Sequence, residues 1–397
     1  MEPQPAPDRS AADDVTGAAV PTARHRPVAV AAGALLAVGL LAGCGVRLEA
    51  PPAGEPVPDS LEVVRRTAVA DALLVADGAE AALEEVPTSR KRVVAELTRI
   101  AADSREQAEA LGGEYDSGLA TGAPTDAPSS AWDKATPADV VEALDDAAAR
   151  SRTAAGSTGD GPLARLLASV GAAQTVSGER LAALVDVAGP DIVEPRVPEP
   201  ADADAGDEGD ESDEDDAEED APQEAASPGS PTDDATATGQ DAGGSSAQDD
   251  DTVPEGLTPH DLSTLVVSED ATRYALQLRA AIGSGTTRDR LLERVAVHAQ
   301  RADGWAAVAG TQATADDPRR AAYAVPRVAD QGDKALVIDL ETDLATDYAT
   351  LVGTTAAGTR AVLVDLLVDS AVALDDWGAE PEPFPGLPEQ AGDDAAA

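Results

Sequence analysis

Between positions 201 and 256 the chain holds 21 Asp or Glu residues and no Lys, Arg or aromatic side chain. A segment of that kind cannot bury enough apolar surface to offset its chain entropy, and its like charges repel. It reads as a disordered acidic linker, extending over 189–256, that splits the 397 residues into two folding halves. The run Asp207-Glu208-Gly209-Asp210-Glu211-Ser212-Asp213 lacks both the register and the closing bidentate Glu of a calcium loop, so it is read as solvated linker. Aromatic residues make up only 2% of the chain. Cores must therefore be built from Ala, Val and Leu, which suits helices packed through small side chains, and no convincing strand pattern is present. The expectation is an all-α protein.

Helical periodicity fills both halves. Over 60–188 four helices are expected. Ser60 is placed as the first cap, with Leu61, Val64, Ala68, Ala72 and Val75 on the apolar line. A second carries Val93, Leu97, Ile100 and Leu111. A third opens with Thr136-Pro137-Ala138-Asp139, a start resembling a capping box, and a fourth runs from about Gly161 through Leu167, Val170 and Leu181. Gln107, Gln174 and Ser177 intrude on these inner lines, where an amide and a hydroxyl do not make a first-row metal ligand set. They read as polar groups bonded across a core.

Over 257–379 four more helices form an expected antiparallel four-helix bundle. The first spans about Asp261–Ile282, closed by Gly283-Ser284-Gly285, with Thr286 or Thr287 capping the next. The second carries Leu291, Val295, His298 and Trp305; after a loop over 311–330 come the third, with Leu336, Leu340 and Tyr348, and the fourth, Thr359–Trp377. Residues 380–397 are a tail.

Upstream, the apolar run Val28–Leu41 follows Arg24, His25 and Arg26 and is too short to span a bilayer, so 1–43 reads as a signal peptide. Leu41-Ala42-Gly43-Cys44 resembles the lipobox of bacterial lipoproteins, and Cys44 is the only cysteine. The resemblance implies a diacylglyceryl group, with palmitate-type chains, on the Cys44 thiol and cleavage just before it. Acylation would hold the protein on the extracytoplasmic face of the cell membrane, above a proline-rich tether at 44–59. A net charge of −47 argues against nucleic acid as a partner; the expected partners are the membrane, through Cys44, and an unidentified cell-envelope protein.

Ala321-Ala322-Tyr323-Ala324-Val325-Pro326, Asp339-Leu340-Glu341 with Tyr348, Leu366-Leu367-Val368-Asp369-Ser370-Ala371 with Trp377, and Phe384-Pro385-Gly386-Leu387-Pro388-Glu389 are together similar to a ferritin-like domain family of unknown function. That family occurs in secreted proteins and lipoproteins of high-GC Gram-positive bacteria. The resemblance covers about 260–390, and 60–187 looks like a degenerate second copy. It implies a ferritin-like bundle, whose inner line in metal-binding relatives carries Glu-x-x-His. Here the inner polar residues are Glu269, His298, Glu341 and Asp369, one per helix, weak candidates for iron or manganese. No Glu-x-x-His survives, since Thr272, Leu344 and Val372 stand three residues after the carboxylates, and Arg273 is placed to pair with Glu269. No cofactor is expected.

No thiol nucleophile remains free, no Ser-His-Asp motif is recognisable and no phosphate loop follows a strand. The leading expectation is a non-catalytic scaffolding or interaction module tethered to the membrane. The alternative is a di-metal oxidoreductase or metal-binding protein using the 257–379 bundle.

Overall fold

The computed structural model describes residues 57–116, 132–199, 253–325 and 327–390. Among them the chain is all-helical, with no strand. The lipobox and the acidic stretch 200–252 lie outside the described residues.

The first half contributes α1 (Ser60–Glu85), α2 (Lys91–Ala110), α3 (Pro137–Ser157) and α4 (Gly161–Val185). Asp59, not Ser60, caps α1, its carboxylate accepting from the Glu62 N–H at 2.8 Å. Leu61, expected on the apolar line, is 39% exposed, and the buried stripe begins at Ala68. Thr136 and Asp139 close a reciprocal capping box on α3, with Pro137 in the first turn. The second half repeats that device at Thr258 and Asp261 to open α5 (Pro259–Ile282). Next come α6 (Gly285–Val308), a single turn α7 (Arg327–Asp330) inside the expected loop, α8 (Asp333–Thr354) and α9 (Ala361–Asp376). Thr286 and Thr287 do not cap α6: Gly285, at φ 65°, turns the chain into the helix before either residue, and Ser284 takes the cap position.

α1 pairs with α2, α3 with α4, α5 with α6 and α8 with α9. One apolar cluster, around Val75, Leu97, Ile100, Leu144 and Leu181, lies wholly in the first half. The larger one crosses between halves, joining Leu167 and Val170 of α4 to Tyr348 of α8 and Leu363, Leu366 and Leu367 of α9. The halves therefore share a core. α4 and α8 approach so closely at Gly161 that a Cβ there would lie 2.0 Å from the Gly353 carbonyl oxygen, which excludes any larger residue. Arg152 reaches Asp365 at 2.5 Å across the seam, and the Gly358 N–H donates to Gly156 O at 2.7 Å. The tail closes the same seam: Phe384 and Leu387 are buried, and Ser169 Oγ donates to Pro385 O at 2.8 Å.

Residues 189–199, assigned by composition to the linker, lie against the bundles as an extended strap. Pro190 fits over Gly178 of α4 and Val197 over Gly304 of α6, two positions where any Cβ would collide with the strap. Among the described residues, no helix is long and apolar enough to cross a membrane.

Candidate functional site

The four second-half candidates converge. Glu269 projects from α5, His298 from α6, Glu341 from α8 and Asp369 from α9; the first three are fully buried. His298 is the hinge of the arrangement, with Nδ1 2.7 Å from Glu269 Oε2 and Nε2 3.2 Å from Glu341 Oε1. Carboxylates at both ring nitrogens require both to be donors, which defines an imidazolium. Burial opposes that charge, but Glu341 and Glu269 outweigh it and hold His298 above its ordinary value.

Two arginines that sequence reasoning did not place in the interior complete the cluster. Arg294 donates from Nε to Glu341 Oε1 at 2.8 Å and from Nη1 to Asp369 Oδ2 at 2.9 Å. Arg301 donates from Nη2 to the same Asp369 oxygen at 2.7 Å. Burial alone would raise the Glu341 carboxyl, yet Arg294 and His298 draw it down to about 2. Burial likewise opposes ionisation of Asp369, and Arg294 and Arg301 overcome it, holding its value low. The Tyr348 hydroxyl donates to Glu269 Oε1, and burial with that neighbouring charge lifts its own proton affinity well above the usual phenol range. Three carboxylates thus face two guanidinium groups and one imidazolium, and the interior charge balances.

The signal for the arginines was present in the spacing. Leu291, Arg294, His298, Arg301 and Trp305 follow one another at three and four residues, the inner line of a helix. Arg273 pairs with Asp270, Nε to Oδ1 at 2.8 Å, rather than with the expected Glu269. Glu269 faces the interior and is taken by His298 and Tyr348; Asp270, one residue on, faces Arg273 and Tyr323. His260 is exposed in the first turn of α5 and has no part in the cluster.

As arranged, the donor set does not fit a di-metal centre. A histidine ligand must offer a ring lone pair, whereas both His298 nitrogens are committed to carboxylates. The guanidinium groups stand where metal charge would be needed to bring the carboxylates together. Among the described residues, no three His, Cys, Asp or Glu side chains form a metal-ligand group.

In the first half the polar intruders bond within their own helix, to a neighbouring helix or to the C-terminal tail. Ser151 Oγ donates to Gln174 Oε1 at 3.2 Å, Ser177 Oγ to the Ala173 carbonyl at 2.8 Å and Gln107 Nε2 to Pro383 O at 3.1 Å.

Fold and site together define an all-α, helical-bundle protein whose second bundle is centred on a buried, charge-balanced ion network. Residues 262–389 match the family described as "Domain of unknown function (DUF4439)", a stretch that runs from the first turn of α5 to the turn at Pro388–Gln390 and contains every member of the network. Comparison with curated proteins and with solved structures gives no match.

Proposed function

We propose that the protein is an extracytoplasmic lipoprotein, anchored through Cys44, whose ferritin-like bundles serve as a non-catalytic interaction or scaffolding module for an envelope partner. The observation that carries the non-catalytic part is the internal neutralisation of Glu269, Glu341 and Asp369 by His298, Arg294 and Arg301. A centre built to hold iron or manganese leaves its carboxylates and a histidine lone pair for the metal. Here each carboxylate has a cationic partner and both His298 nitrogens are taken, although the buried Glu341 Oε2 has no hydrogen-bond partner, and the cations are covalent parts of the chain. The anchoring part rests on Leu41-Ala42-Gly43-Cys44 after a basic-flanked apolar run.

The test is metal analysis of protein purified from cells supplied with iron and manganese. The expected result is no stoichiometric metal. One or more ions per chain, lost in both Glu341→Gln and His298→Gln, would establish the di-metal reading instead. In parallel, Cys44→Ser should move the protein from the membrane to the soluble fraction; unchanged retention would remove the anchor from the proposal.

A further inference from the structure

The strap is seated by shape. Pro190, Pro195 and Pro198 are buried, whereas Ile192 and Val193 between them are each 42% exposed. The groove thus takes the prolines and leaves two larger apolar side chains outside. Its bed is cut by two glycines inside helices, Gly178 of α4 and Gly304 of α6. A Cβ would stand 2.5 Å from Pro190 Cγ at the first and 2.8 Å from Val197 Cβ at the second. Glycine inside a helix is less stable than alanine, so both helices give up stability to keep the groove open.

Two further observations make the strap replaceable. Among the described residues no hydrogen bond involves 188–199. The helices beneath it satisfy their own backbones, so lifting the strap strands no donor there. The fit is also incomplete. A cavity of about 250 Å³ remains between Pro195, Val197 and Pro198 of the strap and Val297, Gly304 and Ala307 of α6. An extended segment with the same proline spacing, and a bulkier apolar residue at the Val197 register, would bury more apolar surface than the strap does.

We propose that this groove is the docking site for an extended, proline-bearing segment of a partner protein, and that the strap is its built-in occupant, displaced when the partner binds. The inference rests on the interaction-module reading and names the chemistry of its partner. The tests of that reading, metal content and membrane fractionation, probe the ion network and Cys44, so the two can fail separately.

The test is fluorescence anisotropy of a labelled synthetic peptide of residues 188–199, titrated with the full chain. A full chain loosened by Pro190→Ala, Pro195→Ala and Pro198→Ala should bind it saturably. The unaltered chain should bind it about tenfold more weakly, because its own strap competes as a tethered ligand at roughly millimolar effective concentration. Val197→Leu in the peptide adds one methylene toward the cavity and should tighten binding to both chains about fourfold. Gly304→Ala in the loosened chain closes one notch and should weaken the peptide about tenfold or more, while the melting temperature holds or rises. Failure of the unaltered chain to take the Val197→Leu peptide up to about 1 mM would make the strap a fixed part of the fold and overturn the proposal. So would equal binding of a peptide whose three prolines are alanine, or binding unmoved by Gly304→Ala.

Discussion

The two bundles solve the same problem with different chemistry. Each is an Ala-, Val- and Leu-lined set of helices with polar residues on inner positions. The first holds amides and hydroxyls there, Gln174 taking a hydrogen bond from Ser151 and Gln107 reaching the Pro383 carbonyl, and buries a single carboxylate, Glu96, paired with the part-exposed Arg99 and Arg180. The second uses full charges, three of each sign, drawn from α5, α6, α8 and α9. Neutral pairs can be replaced by apolar residues at little cost, because both partners vanish together. A balanced ion network lacks that tolerance, since deleting one member strands its partner in a low-dielectric interior. The second bundle is therefore the more specific and the more fragile of the two.

The largest effect should come from breaking the balance. Arg294→Met leaves Glu341 and Asp369 short of a cation and should cost about 3–5 kcal/mol in urea denaturation. In the first bundle the corresponding vulnerability is a cavity rather than a charge: Leu97→Ala, at a fully buried position, should cost roughly 2–5 kcal/mol. Tyr348→Phe removes a buried donor to Glu269 and should cost about 1.5–3 kcal/mol. The smallest effect belongs to the double change Gln174→Leu with Ser151→Ala, expected within about 1 kcal/mol of wild type. A neutral pair that proved as costly as Arg294 would erase the distinction between the bundles.

The comparison also has a pH signature. Glu341 is depressed in the folded state, so its contribution is present above its ordinary 4.5 and is lost as pH falls toward about 2. His298 is raised, so its contribution is complete below the unfolded value of about 6.5 and fades as pH climbs through the higher folded value. Stability from the network should peak between those limits. His298→Gln should remove the alkaline limb and leave the acid limb, as measured by urea midpoints across pH.

Much of this was legible in the chain. Thr136-Pro137 announces a helix start because proline tolerates only the first turn, and the apolar lines of α4 and α9 are continuous; the same signal at Thr258-Pro259 places the start of α5 two residues before the expected Asp261. The four acidic and histidine positions were found because each interrupts an apolar line. What escaped was the charge that balances them. An arginine on a helix ordinarily snorkels to water, so its presence on the Leu291–Trp305 line did not single out Arg294 or Arg301 as interior groups. Arg273 was assigned to Glu269 because spacing along one helix cannot reveal that Glu269 is claimed from α6 and α8. The shared core was equally hidden, since the residues that join α4 to α8 and α9 stand some 180 positions apart. The strap escaped because its prolines match the composition of a linker, and only the glycine notches at 178 and 304 show that it docks.

The most direct measurement is the protonation state of His298 by ¹⁵N NMR. The chain has three histidines; His25 precedes the lipobox, and His260 is exposed. The signal of a buried second imidazole is therefore readily distinguished. An internally neutralised network predicts that both nitrogens of His298 remain protonated above the ordinary imidazole value of about 6.5. A neutral His298 ring at pH 7, with one nitrogen bare or bound to a metal, would contradict it.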